Sequence, residues 1–168
     1  MKCFLTINTI YTGPLDSTYR ICWPSYNDPT RPAGLTDDEF LDYAIQRMKE
    51  TGGLPADAVV IIVDSEDLPT DEEFINAWAM SGSNVVVDMP KARLLHMEKI
   101  RAVRNAELAA KDITFMRAVE AGDASAQSTI AAEKQTLRDI PATFDITTDV
   151  DTPEQLKAKW PTELPARE

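Results

Sequence analysis

The chain has 168 residues, of which 43% are hydrophobic and 27% are charged, and its formal net charge is −11. This length predicts one real hydrophobic core with a smaller extension, and it does not require a metal or a disulfide framework for folding. The acidic balance argues against nucleic acid as the main partner, and the lack of any run near roughly 20 apolar residues argues against a membrane span.

The first part of the chain predicts a β-hairpin followed by a stiff loop. Residues 4–10 (FLTINTI) and 19–23 (YRICW) have the composition of strands, and residues 12–17 (TGPLDS) have that of a turn. Three prolines in residues 24–34 deny that segment both helical and ladder hydrogen bonds. Tyr26 lies in this loop and is therefore a candidate contact residue.

The two cysteines, Cys3 and Cys22, are too few for a disulfide framework and lack the spacing of metal ligands. We interpret them as reduced, partly buried thiols. Because both lie in predicted strands, a cross-strand disulfide is the alternative if the protein meets an oxidising medium. The start of the chain, MKCFLTINTIYTG, lacks the pattern of a secretory signal, so we expect synthesis in a cytoplasm.

Two strong signals follow the proline-rich loop. Thr36 and Glu39 form a capping-box pattern, and the apolar residues after them recur at helical spacing, which predicts a helix over residues 37–50. Residues 59–63 (VVIIV) form a continuous apolar run. Such a run is typical of a central strand that is covered on both faces.

A second capping-box pattern, formed by Thr70 and Glu73, predicts another helix, whose apolar face includes Trp78. A short strand over residues 85–87 follows it. Strands that alternate with helices imply right-handed crossover connections. The predicted fold class is therefore α+β or α/β, with a small sheet and two crossover helices in residues 1–88.

The chain changes character near Pro90, after which helix-forming residues dominate. Gly122 interrupts this pattern, and a second helix ends near Pro141, so we expect an antiparallel helical hairpin. Thr152 and the proline after it begin a short C-terminal helix. Residues 89–168 are thus predicted to form an α-helical extension, with a hairpin and a short helix.

Acidic side chains are concentrated in the first part of the chain. Residues 1–90 contain 15 acidic and 5 basic side chains, whereas residues 91–168 contain 13 and 12. The long helix begins with several basic residues beside an apolar stripe, which predicts either packing on its own domain or a docking surface. The candidate docking residues are Arg93, Met97, Ile100, Arg101 and Arg104, together with Tyr26.

The carboxylates after the predicted central strand raise the question of an active site. Asp64, Glu66 and Asp67 follow that strand, at the end where α/β proteins bind ligands. Residues 71–73 fall in a predicted first helical turn, where acidic side chains are explained by the helix dipole. No phosphate-binding loop and no nucleophile elbow is present, and His96 is the only histidine. We therefore predict no catalytic residue, no metal and no cofactor; the alternative is a magnesium-dependent α/β hydrolase that uses Asp64 and Asp67.

Five pieces of sequence occur in a fixed order between residues 67 and 165: FINAW, DMPKAR, RNAEL, KQTLRDIP and WPTEL. This order resembles a small protein type encoded among the tail genes of tailed double-stranded DNA bacteriophages. The LRDIP segment is also similar to the close of tail-fibre assembly proteins. None of the pieces is a catalytic motif, so the resemblance implies a structural context and no particular chemistry.

The resemblance implies a non-enzymatic component of a tailed phage virion, attached to the tail or tail-fibre apparatus through protein–protein contacts. Its partners would be phage tail or tail-fibre proteins, and it would be a homo-oligomer or be present in several symmetric copies. It would be synthesised in the host cytoplasm and become part of the virion. The alternative is a tail or tail-fibre assembly chaperone that is absent from the mature virion.

Overall fold

The computed structural model describes residues 2–7, 19–29, 31–70, 72–82 and 84–167. The predicted turn over residues 12–17, the end of the first predicted strand and Asp71 of the second predicted capping region lie outside these residues. The chain divides into two compact units, Met1–Asp88 (unit 1) and Met89–Glu168 (unit 2). None of the described helices combines the length and the apolar composition that are needed to cross a membrane.

Unit 1 contains a three-stranded antiparallel sheet in the order β2–β1–β3. The central strand is β1 (Lys2–Ile7), and both β2 (Tyr19–Cys22) and β3 (Val60–Asp64) pair antiparallel to it. The two outer strands therefore run parallel to each other, and α1 (Asp37–Glu50) lies in the connection between them. The α+β class and one of the two predicted crossover helices are confirmed.

The helix α1 has the predicted bounds because its N-terminus is capped by side chains. Thr36 Oγ1 accepts a hydrogen bond of 3.3 Å from the Glu39 amide, and the Glu39 carboxylate accepts one of 2.8 Å from the Thr36 amide. The hydrogen bond from the Thr36 backbone is the main reason why the pKa of Glu39 is lowered. On its inner side, α1 packs Leu41 against Phe4 of the sheet and Leu54 of the loop that follows α1.

Thr36→Ala should lower the free energy of unfolding of unit 1 by about 1 kcal/mol, because the α1 N-terminus loses its side-chain acceptor. Thr36→Ser is the matched control, since serine keeps an acceptor at the same place. Urea unfolding of the three proteins measures the difference. Equal stability of the alanine and serine variants would show that the cap is not needed.

Successive residues of β1 point to opposite faces of the sheet. Cys3 packs in one cluster with Leu5 and Val63, whereas Cys22 lies opposite Phe4 and packs on the other face. A disulfide between the two cysteines would require the strand register to slip, because such a slip moves a side chain to the other face. Neither Cys3 nor Cys22 forms a disulfide in the described part of the chain, and burial is the main reason why the pKa of Cys3 is raised.

Two predictions about unit 1 are wrong. The run over residues 59–63 predicts a central strand, but among the described strands β3 lies at the edge of its sheet, and the Ile62 side chain is exposed. The second predicted crossover helix does not form, because Ile75–Ala77 is only a 3-10 turn and β4 (Trp78–Ser81) pairs with β5 (Asn84–Val87) in a two-stranded antiparallel sheet.

The physical reason for the missing helix is tertiary packing. Trp78 and Val85, which lie on paired strands, are both buried in the cluster that contains Cys3 and Leu5. The β4–β5 pair thus places two large side chains against the first sheet, and this burial outweighs a weak local preference for helix. Gly82, with φ of +64°, supplies the left-handed residue in the short connection between these strands.

Unit 2 contains the predicted antiparallel helical hairpin and a short C-terminal helix. The hairpin consists of α2 (Met89–Glu120) and α3 (Ala124–Thr143), and the short helix is α4 (Pro153–Ala158). Asp123 caps α3 by accepting a hydrogen bond of 2.9 Å from the Ala126 amide. Pro141 does not end α3 as predicted: it lies in the last turn, where the Phe144 amide still donates to the Ile140 carbonyl oxygen at 2.9 Å.

Candidate functional site

Three of the predicted docking residues make contacts inside unit 2. Met97 and Ile100 are buried, Ile100 completely. Arg93 donates a hydrogen bond of 2.6 Å to the carbonyl oxygen of Val150, which ties the start of α2 to the C-terminal segment. These side chains therefore belong to the packing of their own unit.

The other three predicted docking residues differ in exposure. Arg101 is exposed, whereas Arg104 is half-buried. Tyr26 is half-buried in unit 1, where its hydroxyl donates a hydrogen bond of 2.8 Å to the Lys2 carbonyl oxygen and its ring meets that of Phe40 edge-on at 5.8 Å. Burial is the main cause of the raised pKa of Tyr26. Of the six residues, Arg101 is the one with an exposed side chain.

The lone histidine is a structural residue in unit 2. His96 is fully buried, its Nε2 lies 2.7 Å from the Lys159 carbonyl oxygen, and its ring meets that of Trp160 edge-on at 5.9 Å. Because a carbonyl oxygen can only accept, Nε2 carries the proton of this hydrogen bond. The Trp160 indole in turn donates to the Pro165 carbonyl oxygen at 2.9 Å. His96 and Trp160 thereby hold the C-terminal segment against the first half of α2.

The carboxylates after β3 do not form a metal centre in the described part of the chain. Asp64 pairs with Lys2 across β1 and β3, and Lys2 Nζ forms an ion pair of 2.8 Å with Asp38 at the start of α1. Glu66 and Asp67 lie exposed in a 3-10 turn. Among the described residues, no three His, Cys, Asp or Glu side chains are placed so that they could hold a metal ion. The magnesium alternative therefore has no ligand set there.

The long helix α2 has two apolar faces, and α3 covers one of them. On the covered side, Lys111 forms an ion pair of 2.6 Å with Glu133, the Lys134 ammonium lies 5.2 Å from the centre of the Phe115 ring, and Ala118 is buried. These positions on α2 recur at three- and four-residue spacing, as one helical face requires. The opposite face of α2 is consequently left without cover by α3.

Five apolar residues share this uncovered face and follow one another at alternating spacings of four and three: Ala102, Ala106, Ala109, Ile113 and Met116. All five are exposed, and Ile113 and Met116 are exposed to 58% and 56%. We call these residues the α2 seam. Alternation of four and three is the repeat by which one helix packs along another in a coiled coil. The α2 seam is therefore suited to binding a second helix.

A hollow of about 500 Å³ lies at the first end of the α2 seam. Its walls include Lys99, Ala102, Trp160 and Arg167, and the Arg167 guanidinium lies 5.3 Å from the centre of the Trp160 ring. The hollow thus continues the apolar surface of the seam and adds an aromatic ring and two cations. Aromatic and arginine side chains are enriched at protein interfaces.

The α2 seam is not among the sequence predictions, which cover only the first apolar stripe of α2, the one that includes Met97 and Ile100. The signal for the seam is present in the spacing of residues 102–116, where apolar residues recur on a second face. Small alanine side chains make that signal weak. Only the position of α3 shows which face is exposed.

Comparisons with known proteins agree with the sequence resemblance. Residues 97–163 match the model of a family described as phage tail assembly chaperone protein. The matched range lies in unit 2 and contains the α2 seam, α3 and most of the C-terminal segment. No curated protein and no solved structure matches the chain. The family match confirms the predicted resemblance to tail-associated proteins of tailed phages.

Proposed function

We propose that this protein is a non-enzymatic assembly chaperone of a phage tail, and that it binds a helix of a tail subunit along the α2 seam. One observation carries the proposal: the range that matches the family, residues 97–163, coincides with a helical unit that leaves a long apolar helix face exposed. The match favours the chaperone alternative over the virion component.

The α2 seam supports a contact function because exposed apolar side chains cluster there. Ile113 and Met116 are adjacent on the helix surface, and an apolar patch of this kind marks interaction sites in proteins. A client helix bound at the seam would bury both side chains, and each buried side chain stabilises the complex by about 1.5–3 kcal/mol. Binding of this kind requires only the burial of apolar surface, so no catalytic group takes part.

The alanines of the α2 seam argue against a parallel pair with a second copy of this chain. In a parallel self-pair, Ala102, Ala106 and Ala109 would each face the same alanine, and the middle of the interface would be poorly filled. A different helix with large apolar side chains opposite these alanines fills the space, because well-packed layers alternate large and small residues. An antiparallel pair of two copies would also place Ile113 and Met116 opposite alanines, so the packing alone does not choose the occupant. The match to tail assembly chaperones supports assigning the seam to a tail subunit that still has an unpaired helix.

In this proposal the protein is made in the host cytoplasm, binds the tail subunit there and leaves before the particle matures. Arg101, which is exposed beside the seam, adds a positive charge to the docking surface. That the protein forms a homo-oligomer or acts in several symmetric copies stays a prediction.

The test compares purified particles with lysates of infected cells. Quantitative mass spectrometry should find the protein in lysates, co-purifying with a tail subunit, and should not find it in purified particles at a fixed ratio to the major tail subunit. The major tail subunit, measured in both samples, is the control for recovery. A constant stoichiometric amount in purified particles would contradict the chaperone proposal and support a virion component.

A further inference from the structure

The α2 seam is bounded by charged residues of opposite sign. Its alternating spacing continues to Lys99, three residues before Ala102, and to Glu120, four residues after Met116. The side chains of Lys99 and Glu120 are both exposed. Because an α-helix rises about 1.5 Å per residue, these two positions lie about 30 Å apart along α2. The seam is thus an apolar strip with a cation at one end and an anion at the other.

A second charge of the same sign lies near each end of the α2 seam. At the first end, the hollow that contains Lys99 also contains Arg167, whose guanidinium lies 5.3 Å from the centre of the Trp160 ring. At the second end, Asp123 is exposed, and it lies three residues beyond the end of α2. The first end of the seam is therefore basic and the second end is acidic.

Two exposed side chains reduce this contrast in charge. Glu98 lies near the first end of the α2 seam, and Arg117 lies near the second end. Successive residues of an α-helix are about 100° apart around its axis, so both side chains lie farther from the line of the seam than Lys99 and Glu120 do. A helix that binds along the seam would therefore lie closest to Lys99 at one end and to Glu120 at the other.

We propose that the α2 seam binds its client helix in one direction only, which is set by charge. The client helix has an acidic end, which lies in the hollow between Lys99 and Arg167 with an apolar side chain against Trp160, and a basic end, which lies beside Glu120 and Asp123. In the reverse direction, like charges would meet at both ends of the interface, and such contacts disfavour binding. This inference rests on the proposed function of the seam and adds the charge pattern of the client helix.

The direction of binding can be measured with a spin-labelled peptide. The probe is a terminally blocked amphipathic peptide of about 20 residues, the length of the seam, with leucine at alternating spacings of four and three, two glutamates at one end and two lysines at the other. A second peptide has the two charged ends exchanged, so that the dipole of the peptide helix cannot decide the result. In both peptides a nitroxide label is attached at the glutamate end.

The label should broaden the NMR signal of the Trp160 indole N–H, which lies at the hollow, and leave the Gly122 amide signal sharp. Trp160→Phe assigns the indole signal among the three tryptophans of the chain. Because reversal exchanges attraction for repulsion at both ends, both peptides should prefer this direction by about tenfold at low salt. High salt should reduce the preference, since it screens exposed charges.

A charge-swapped variant, Lys99→Glu with Glu120→Lys, keeps the net charge and should remove or reverse the preference. Its matched control is Arg138→Glu with Asp139→Lys, which swaps two exposed charges on α3 and should keep the direction. An unchanged direction in the swapped variant, or equal broadening of both signals in the unchanged protein, would overturn this inference and leave the seam assignment in place. If neither peptide binds, the proposed function fails, and this inference fails with it.

Discussion

Replacing Ile113 and Met116 together with lysine should weaken binding of the tail subunit by at least about a hundredfold. Each side chain contributes about 1.5–3 kcal/mol when it is buried, and about 1.4 kcal/mol corresponds to a factor of ten in Kd. The double variant also places two charges where the client helix presents apolar side chains. Because both residues are exposed in the free protein, its fold should be unchanged, and calorimetric titration with the purified subunit measures the loss.

The matched control for this variant is Ser128→Lys combined with Ala132→Lys. Both residues are exposed on α3, so the control adds the same charge to the same unit without touching the α2 seam. The control should bind the client like the unchanged protein and support tail assembly when it complements a phage that lacks the gene. Equal binding by the two double variants would contradict the assignment of the seam. If the seam variant instead abolishes self-association in sedimentation experiments, the occupant of the seam is a second copy of this chain.

Ile100→Ala should lower the free energy of unfolding of unit 2 by about 2–5 kcal/mol, because Ile100 is completely buried and the alanine leaves a cavity. Leu94→Ala is the matched control. Leu94 lies on the same helix and is 56% exposed, so its truncation should change stability by no more than about 0.5 kcal/mol. Urea unfolding followed by far-UV circular dichroism, which mainly reports the long helices, measures both effects.

These two variants also test whether the basic and apolar residues at the start of α2 contact a partner or pack within unit 2. If Ile100 were a contact residue for a partner, its truncation would weaken partner binding and leave the stability of the free protein nearly unchanged. A small loss of stability for Ile100→Ala, similar to that for Leu94→Ala, would contradict the packing seen in unit 2.

Several elements could be predicted from sequence because the interactions that determine them are local. The capping boxes that begin α1 and α4 link residues three positions apart, at Thr36 and Thr152. The break between α2 and α3 depends on Gly122, which has a φ of +69°, and on the Asp123 cap that follows it. Neither needs a distant partner, so each is visible in a short window of residues.

Other elements depend on partners that are distant in sequence, and for these the sequence predictions are wrong. The β-branched run of β3 has the composition of a central strand, but only its pairing with β1 decides that it lies at a sheet edge. The segment around Trp78 has helical spacing, yet it pairs with β5 and buries Trp78 against the first sheet. In both cases a tertiary contact outweighs a local preference that differs by a fraction of 1 kcal/mol per residue.

For the candidate site, the order of residues along the chain is enough to predict that the second half forms a helical hairpin of a tail-associated protein. It also predicts that most of the docking residues lie on α2. That order does not reveal which side of α2 is available. Met97 and Ile100 have the same apolar character as Ile113 and Met116, but the first pair is buried in unit 2 and the second is exposed. Exposure depends on what packs against each face, and the positions of α3 and the C-terminal segment in the folded protein determine that.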